Sequence, residues 1–217
     1  MIDCVPMNNS IMCLTRDAPG YSHDQQVNDF IQGGAQFIQL RSKSLSNEIL
    51  YQQANKAVTY AKAYGTKLII NDHIELTRKV DAHGVHLGAN DGTIANARRI
   101  LPSGKIIGKT VHSIEEALSA QKDKPDYVGL GPYRISSTKK DLQPVLSNYQ
   151  FQQIVKILDP IPVYLIGGLS KDDFPLIESL GVQGLALCSA LFSGKNLQEQ
   201  TRLTVDKSRA YSRLTTY

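Results

Sequence analysis

Eight short apolar runs, separated by longer stretches of mixed character, set the tightest limit on how this chain can fold. They are Ile11–Leu14, Phe37–Leu40, Lys67–Ile70, Gly84–Leu87, Ile106–Thr110, Tyr127–Leu130, Pro162–Ile166 and Gly184–Leu187. Each is apolar nearly throughout, the pattern of a parallel strand covered on both faces. Between them lie helical stretches. Ser46–Tyr64 repeats apolar residues at Ile49, Leu50, Ala54, Ala57, Val58 and Ala61, close to helical spacing. Thr93–Leu101, Ser113–Gln121, Asn148–Leu158, Lys171–Leu180 and Asn196–Ser208 read the same way. Ser46 can cap its first turn, and Ser113 with Glu116 predicts a capping box. Gly33-Gly34, Gly65 and Gly181 each follow a helical stretch, where a left-handed residue ends a helix. Strand and helix alternating eight times predict an α/β protein, a single (β/α)₈ TIM barrel over residues 1–217 as one domain, with loosely held termini. A doubly wound sheet would carry an early glycine-rich fingerprint. The first βα junction, Thr15-Arg16-Asp17-Ala18-Pro19-Gly20, has none.

Composition removes several classes. Of the 217 residues 41% are hydrophobic and 20% charged, as in ordinary globular proteins. No apolar run nears the roughly 20 residues of a membrane span, and no signal-peptide pattern opens the chain. The net charge of +4 comes without a dense Lys/Arg block, so the basic surface reads as solvated rather than as a nucleic-acid face. Cys4, Cys13 and Cys188 share no metal-ligand spacing and suggest no disulfide framework, which points to a cytoplasmic protein.

In such a barrel the chemistry gathers at the C-terminal strand ends. After the second run, Gln39, Arg41 and Lys43 alternate onto one face, and two cations with an amide suit a polyanion. Asn71-Asp72 ends the third run, and Asp91 follows the fourth. Neighbouring strands are about 5 Å apart, so Asp72 and Asp91 can share a hard cation such as Mg²⁺. The alternative is that both cap helices. His86 reads as a packed or hydrogen-bonded barrel residue. Thr110 and His112 share a face at the fifth strand end, where His112 suits proton transfer, substrate hydrogen bonding or a structural role. The long stretch Tyr133–Ser147 carries Ser136, Thr138 and Lys139, a candidate oxyanion clamp or a solvated loop. Gly167-Gly168 after the seventh run, with Cys188 and Ser189 after the eighth, suit a phosphate held by backbone N–H groups. One phosphate needs only the last two strand ends. The cations and carboxylates at strands two to four imply a second, metal-bound polyanion such as diphosphate.

In this order, from Cys13 to Phe192, the motifs resemble those of the thiamine phosphate synthases. The stretches that carry the likeness are Gly34 through Arg41, Ile70-Asn71-Asp72, Gly84 through Gly88 with Asp91, and Val111-His112-Ser113. They continue through Tyr127–Pro132, Ser136–Lys139 and Ile166-Gly167-Gly168. The resemblance implies a transferase that joins hydroxymethylpyrimidine diphosphate to hydroxyethylthiazole phosphate and releases diphosphate through a pyrimidine cation. By the same resemblance Arg41, Lys139 and Thr110 are catalytic. Gln39, Lys43, Asn71, Ser136, Thr138, Gly168, Cys188 and Ser189 bind substrate, and Asp72 and Asp91 hold Mg²⁺. The partners it implies are these two small molecules, not nucleic acid or membrane, and a homo-oligomer is left open. The chain departs from the family pattern at Ser42, His73, Asn90, Ile135 and Ser136. Two rivals remain on the same barrel, a thiazole tautomerase and a non-catalytic sensor of phosphorylated ligands. Lys43, Asp72, Asp91 and the pair Thr138-Lys139 favour the synthase.

Overall fold

A computed structural model describes residues 10–88, 90–134 and 146–215. The eight apolar runs become eight parallel strands that close into a barrel in sequence order, the last pairing with the first. They are β1 (Ile11–Leu14), β2 (Phe37–Leu40), β3 (Lys67–Asn71), β4 (Gly84–Leu87), β5 (Ile106–Val111), β6 (Tyr127–Leu130), β7 (Val163–Ile166) and β8 (Gly184–Leu187). The helices between and after them are α1 (His23–Gln32), α2 (Asn47–Ala63), α3 (Ile74–Val80), α4 (Ile94–Ile100), α5 (Ile114–Asp123), α6 (Asn148–Leu158), α7 (Pro175–Leu180) and α8 (Leu197–Thr215). A 3₁₀ turn, Ser189–Phe192, follows β8.

Local chemistry sets most of the boundaries. Ser46 and Thr93 accept N–H bonds from Ile49 and Asn96, capping α2 and α4 as expected. Ser113 accepts from Glu116 N–H at the start of α5, but the expected capping box is only half made. The Glu116 carboxylate instead accepts from the His112 N–H at 2.7 Å. Full boxes form at Ser22 with Gln25 and at Ser147 with Gln150. Gly34, Gly65 and Gly181 adopt the positive φ expected of helix terminators.

Period-2 alternation divides the core in two. Residues pointing outward from the strands join the inner faces of the helices in one large cluster, with Phe30, Phe151 and Leu158 fully buried. Residues pointing inward form a separate cluster of Met12, Phe37, Ile69, Ile106, Tyr127, Tyr164 and Ala186. Three rings fill its centre: Phe37 lies 5.4 Å from Tyr127 and 5.5 Å from Tyr164, and the two tyrosines are 5.9 Å apart. Gly108 makes this possible, because a Cβ there would lie 2.2 Å from Tyr127 Cζ. The next inward positions toward the C-terminal strand ends are Gln39, Asn71, His86 and Thr110. All four are buried polar side chains. The barrel is therefore plugged with aromatic rings below and opens onto polar groups above.

Candidate active site

At the mouth, the third and fourth strand ends meet as the spacing of neighbouring strands predicts. Asp72 leaves β3 with φ of 69°, a left-handed conformation uncommon outside glycine, its N–H bonded to His86 O at 2.8 Å. The Asp72 and Asp91 carboxyls hydrogen-bond each other. Asp91 also accepts the Gly88 N–H at 2.9 Å, and Lys109 Nζ ties the Gly88 carbonyl at 2.7 Å. Neither carboxylate caps a helix: the residue before α3 is His73 and the one before α4 is Thr93.

The two carboxyls titrate in opposite directions. Burial opposes ionisation of Asp72, but hydrogen bonds from Asp91 and Lys43 outweigh it and hold its pKa below the ordinary value. Burial and then the Asp72 charge push Asp91 up. Lys43 Nζ supplies the counter-charge, 2.6 Å from Asp72 Oδ2. Among the described residues no group of three or more His, Cys, Asp or Glu side chains could hold a metal. Two adjoining carboxyls nevertheless fit Mg²⁺, which takes one or two carboxylates and completes its shell with water and phosphate oxygens.

Deeper in, one hydrogen-bonded chain links buried polar side chains of β2, β4, β5 and β6. His86 Nε2 lies 2.7 Å from Thr110 Oγ1, and His86 Nδ1 lies 2.9 Å from the Tyr127 hydroxyl. Gln39 also bonds that hydroxyl, and its Nε2 faces Met12 Sδ at 3.8 Å. Asn71 is buried beside them, 7% exposed, and no described residue bonds its side-chain amide. His112 is drawn aside by Glu116, its Nδ1 3.1 Å from the carboxylate.

Arg41 leaves β2 and Cys188 leaves β8, the two strands that flank β1. Burial raises the Cys188 pKa against the opposing pull of the Arg41 and Arg16 charges. Ser189 opens the 3₁₀ turn beyond. Gly167 and Gly168 both have positive φ, and a Cβ on Gly168 would lie 2.7 Å from Arg134 Cβ. Of the sequence-derived residues, Gln39, Arg41, Lys43, Asn71, Asp72, Asp91, Thr110, Gly168, Cys188 and Ser189 thus line or approach one barrel end. Ser136, Thr138 and Lys139 lie outside the described residues.

Over residues 11–191 the chain matches the sequence model of a family described as thiamine monophosphate synthase. The chain belongs to that family. Thiamine-phosphate synthase from Bacteroides fragilis is 35% identical over 197 residues, covering 89% of this chain and 97% of that protein. The enzyme of the same name from Clostridium botulinum is 35% identical over 179 residues, 82% of this chain and 83% of its own. Thiamine phosphate pyrophosphorylase from Pyrococcus furiosus has the same barrel, with a TM-score of 0.82 at 28% identity over 94% of this chain and 98% of that one.

Within this member of the thiamine monophosphate synthase family, sequence reasoning missed two groups that shape the site. Arg134 grips Asp173 with both terminal nitrogens, at 2.9 and 2.7 Å, and donates to Gly168 O at 3.1 Å, fixing the glycine turn after β7. Asp173 also accepts the Ser170 N–H at 2.8 Å. Nothing in the spacing of Arg134 and Asp173, 39 residues apart, announces that pair. Tyr127 was legible as a strand residue, and only the closed barrel turns its hydroxyl toward His86 and Gln39.

Proposed function

We propose that this chain is a thiamine phosphate synthase, a transferase that joins hydroxymethylpyrimidine diphosphate to hydroxyethylthiazole phosphate. The observation that carries the reading is the cluster of Lys43, Asp72 and Asp91, with Lys43 Nζ 2.6 Å from Asp72 and the two carboxyls bonded to each other. A single phosphate needs no such arrangement; a diphosphate with its metal does. Asp72 and Asp91 would hold Mg²⁺, which when bound supplies positive charge to the leaving diphosphate oxygens.

The chain's own residues do the rest. Gln39, Asn71 and Thr110 orient the pyrimidine through buried polar groups, Gln39 and Thr110 themselves held by Tyr127 and His86. Arg41, Lys43 and Lys139 stabilise charge as the C–O bond breaks and its electron pair passes to diphosphate. The thiazole nitrogen then donates its pair to the pyrimidine methylene carbon, forming the new C–N bond. Gly168, Cys188 and Ser189, with Ser136 and Thr138, bind the thiazole phosphate. No protein nucleophile is required, and holding both substrates in line supplies much of the acceleration.

The same reading takes the whole chain as one domain acting in the cytoplasm on two small molecules. No described helix is long and apolar enough to cross a membrane. Incubating the purified chain with both substrates and Mg²⁺ should yield thiamine phosphate by mass spectrometry. Absence of that product with both substrates bound would overturn the proposal.

A further inference from the structure

Beyond β2 the main chain loses its strand partners. Thr15 N–H bonds Gln39 O at 3.0 Å, the last backbone contact of the β1–β2 ladder. From there the backbone is held by side chains of the first βα connection. Arg41 N–H donates to Thr15 Oγ1 at 2.9 Å, and Lys43 N–H donates to Asp17 Oδ2 at 2.9 Å. The hydroxyl of Ser42, between them, donates to Asp17 Oδ1 at 2.6 Å and accepts the N–H groups of Ser44 and Leu45 at 3.3 and 3.2 Å.

His23 closes the set. Its Nδ1 lies 2.7 Å from Thr15 Oγ1 and its Nε2 3.1 Å from Asp17 Oδ1. An ionised Asp17 can only accept, so Nε2 carries a proton. Burial lowers the His23 pKa against the pull of Asp17 and Asp24. A neutral ring then accepts at Nδ1, and Thr15 donates to it. Arg41 N–H to Thr15, Thr15 to His23 and His23 to Asp17 thus form one line of donors. Hydrogen bonds from Ser42, Lys43 and His23 outweigh burial and hold the Asp17 carboxyl below its ordinary range.

Thr15 is fully buried, His23 is 3% exposed, and Gln26 beside them is fully buried while bonding Arg16 and Tyr21 of the same connection. Buried polar groups are costly unless every one is matched. Gln26 ties the connection to itself, while Thr15 and Asp17 reach across to the backbone N–H groups of 41 and 43, the two positions that carry the cations.

We infer that Thr15, Asp17 and His23 are positioning residues that aim Arg41 and Lys43, so that the first βα connection sets how tightly the site holds a diphosphate. This rests on the proposed assignment of Arg41 and Lys43 to the diphosphate. The residues act through backbone geometry, so their removal should reach the diphosphate substrate and spare the thiazole phosphate.

The test measures binding of inorganic diphosphate with Mg²⁺ by calorimetry, and KM for each substrate. Asp17→Ala and Thr15→Val should each weaken diphosphate binding about tenfold or more, the scale of losing a hydrogen bond that fixes a charged ligand's partner. The KM for the diphosphate substrate should rise alike, with the thiazole phosphate KM within about twofold. Thr15→Ser keeps the hydroxyl and should restore binding, which a packing role for the threonine methyl would not allow. If Asp17→Ala fails to fold, Asp17→Asn and the Thr15 pair decide the matter. Arg41→Ala separates the two claims. Were it without effect on diphosphate binding, the site assignment would fall and this inference with it. Were Arg41→Ala to weaken binding while Asp17→Asn and Thr15→Val do not, or were both KM values to rise together in those variants, the positioning role alone would be overturned.

Discussion

Replacing Tyr127 with Phe should separate the polar network from the packing that surrounds it. The ring is fully buried against Phe37 and Tyr164, and phenylalanine keeps those contacts. Only the hydroxyl goes, and it has two partners, His86 Nδ1 at 2.9 Å and Gln39. Each is left buried without its match, at about 1–3 kcal/mol per group. His86 retains Thr110 at 2.7 Å and Gln39 keeps only its weak sulfur contact, so the expected total is about 2–4 kcal/mol. At roughly 2–4 °C per kcal/mol for a chain of this size, Tm should fall by about 4–16 °C. Activity should divide as well. Gln39 loses an anchor, so KM for the pyrimidine diphosphate should rise about tenfold, the equivalent of about 1.4 kcal/mol, while KM for the thiazole phosphate holds. Phe37→Leu is the control: it removes packing from the same ring cluster and should lower Tm without changing the ratio of the two KM values. A Tyr127→Phe protein that melts with the wild type and shows both KM values unchanged would refute the network's role.

Asp91→Asn tests the carboxylate pair through stability. Because the folded protein raises the Asp91 pKa, its ionised form weakens the fold as pH rises past the ordinary aspartate range. The amide keeps an acceptor for Gly88 N–H, so at neutral pH without divalent ions the variant should melt at or above the wild type while losing activity. Added Mg²⁺ should raise Tm of the wild type alone; a lower-melting variant that still responds to Mg²⁺ would contradict this. Asp81 has the opposite sign: Lys105 and Lys62 lower its pKa from 3.8 to about 2. Its stabilising charge is present above 3.8 and lost as pH falls toward about 2, so the small Tm gap between wild type and Asp81→Asn should close over that window. The left-handed φ of 55° tolerates asparagine, so a gap independent of pH would point to strain instead. Gly108→Ala drives a methyl to 2.2 Å from Tyr127 Cζ and should cost about 3 kcal/mol or more in denaturant unfolding. An unchanged midpoint would show that the ring cluster can yield.

The barrel was legible because every strand is covered on both faces and so reads as an apolar run. Only β3, β5 and β7 shift their ends, each by one residue. The helices were less uniform. The apolar stripe that announces α1 is short, Val27, Phe30 and Ile31, because the rest of its buried face is His23, Asp24 and Gln26, and His23 and Gln26 find their partners in the preceding loop. The stretch Lys171–Leu180 becomes helix only from Pro175, since Asp173 accepts from Ser170 N–H and shapes a turn before it. The last helix runs past Ser208 to Thr215, where Leu214 is exposed and Tyr211 stacks on Phe174. At the site, period-2 alternation placed Gln39 and Arg41 on one face, and short strand spacing placed Asp72 beside Asp91. Long-range partners such as Arg134 with Asp173, or Asp17 with Lys43, leave no spacing signal, because closure of the barrel alone brings them together.

The central claim is that one barrel mouth couples two phosphorylated substrates with release of diphosphate. The most direct test is a single time course that follows thiamine phosphate and diphosphate together, with purified chain, both substrates and Mg²⁺. The account predicts that the two products appear in equal amounts, that omitting the thiazole phosphate removes the thiamine phosphate, and that Asp72→Ala abolishes most of both while its melting curve stays cooperative. Diphosphate released without matching thiamine phosphate, or full turnover in excess chelator or by Asp72→Ala, would contradict it.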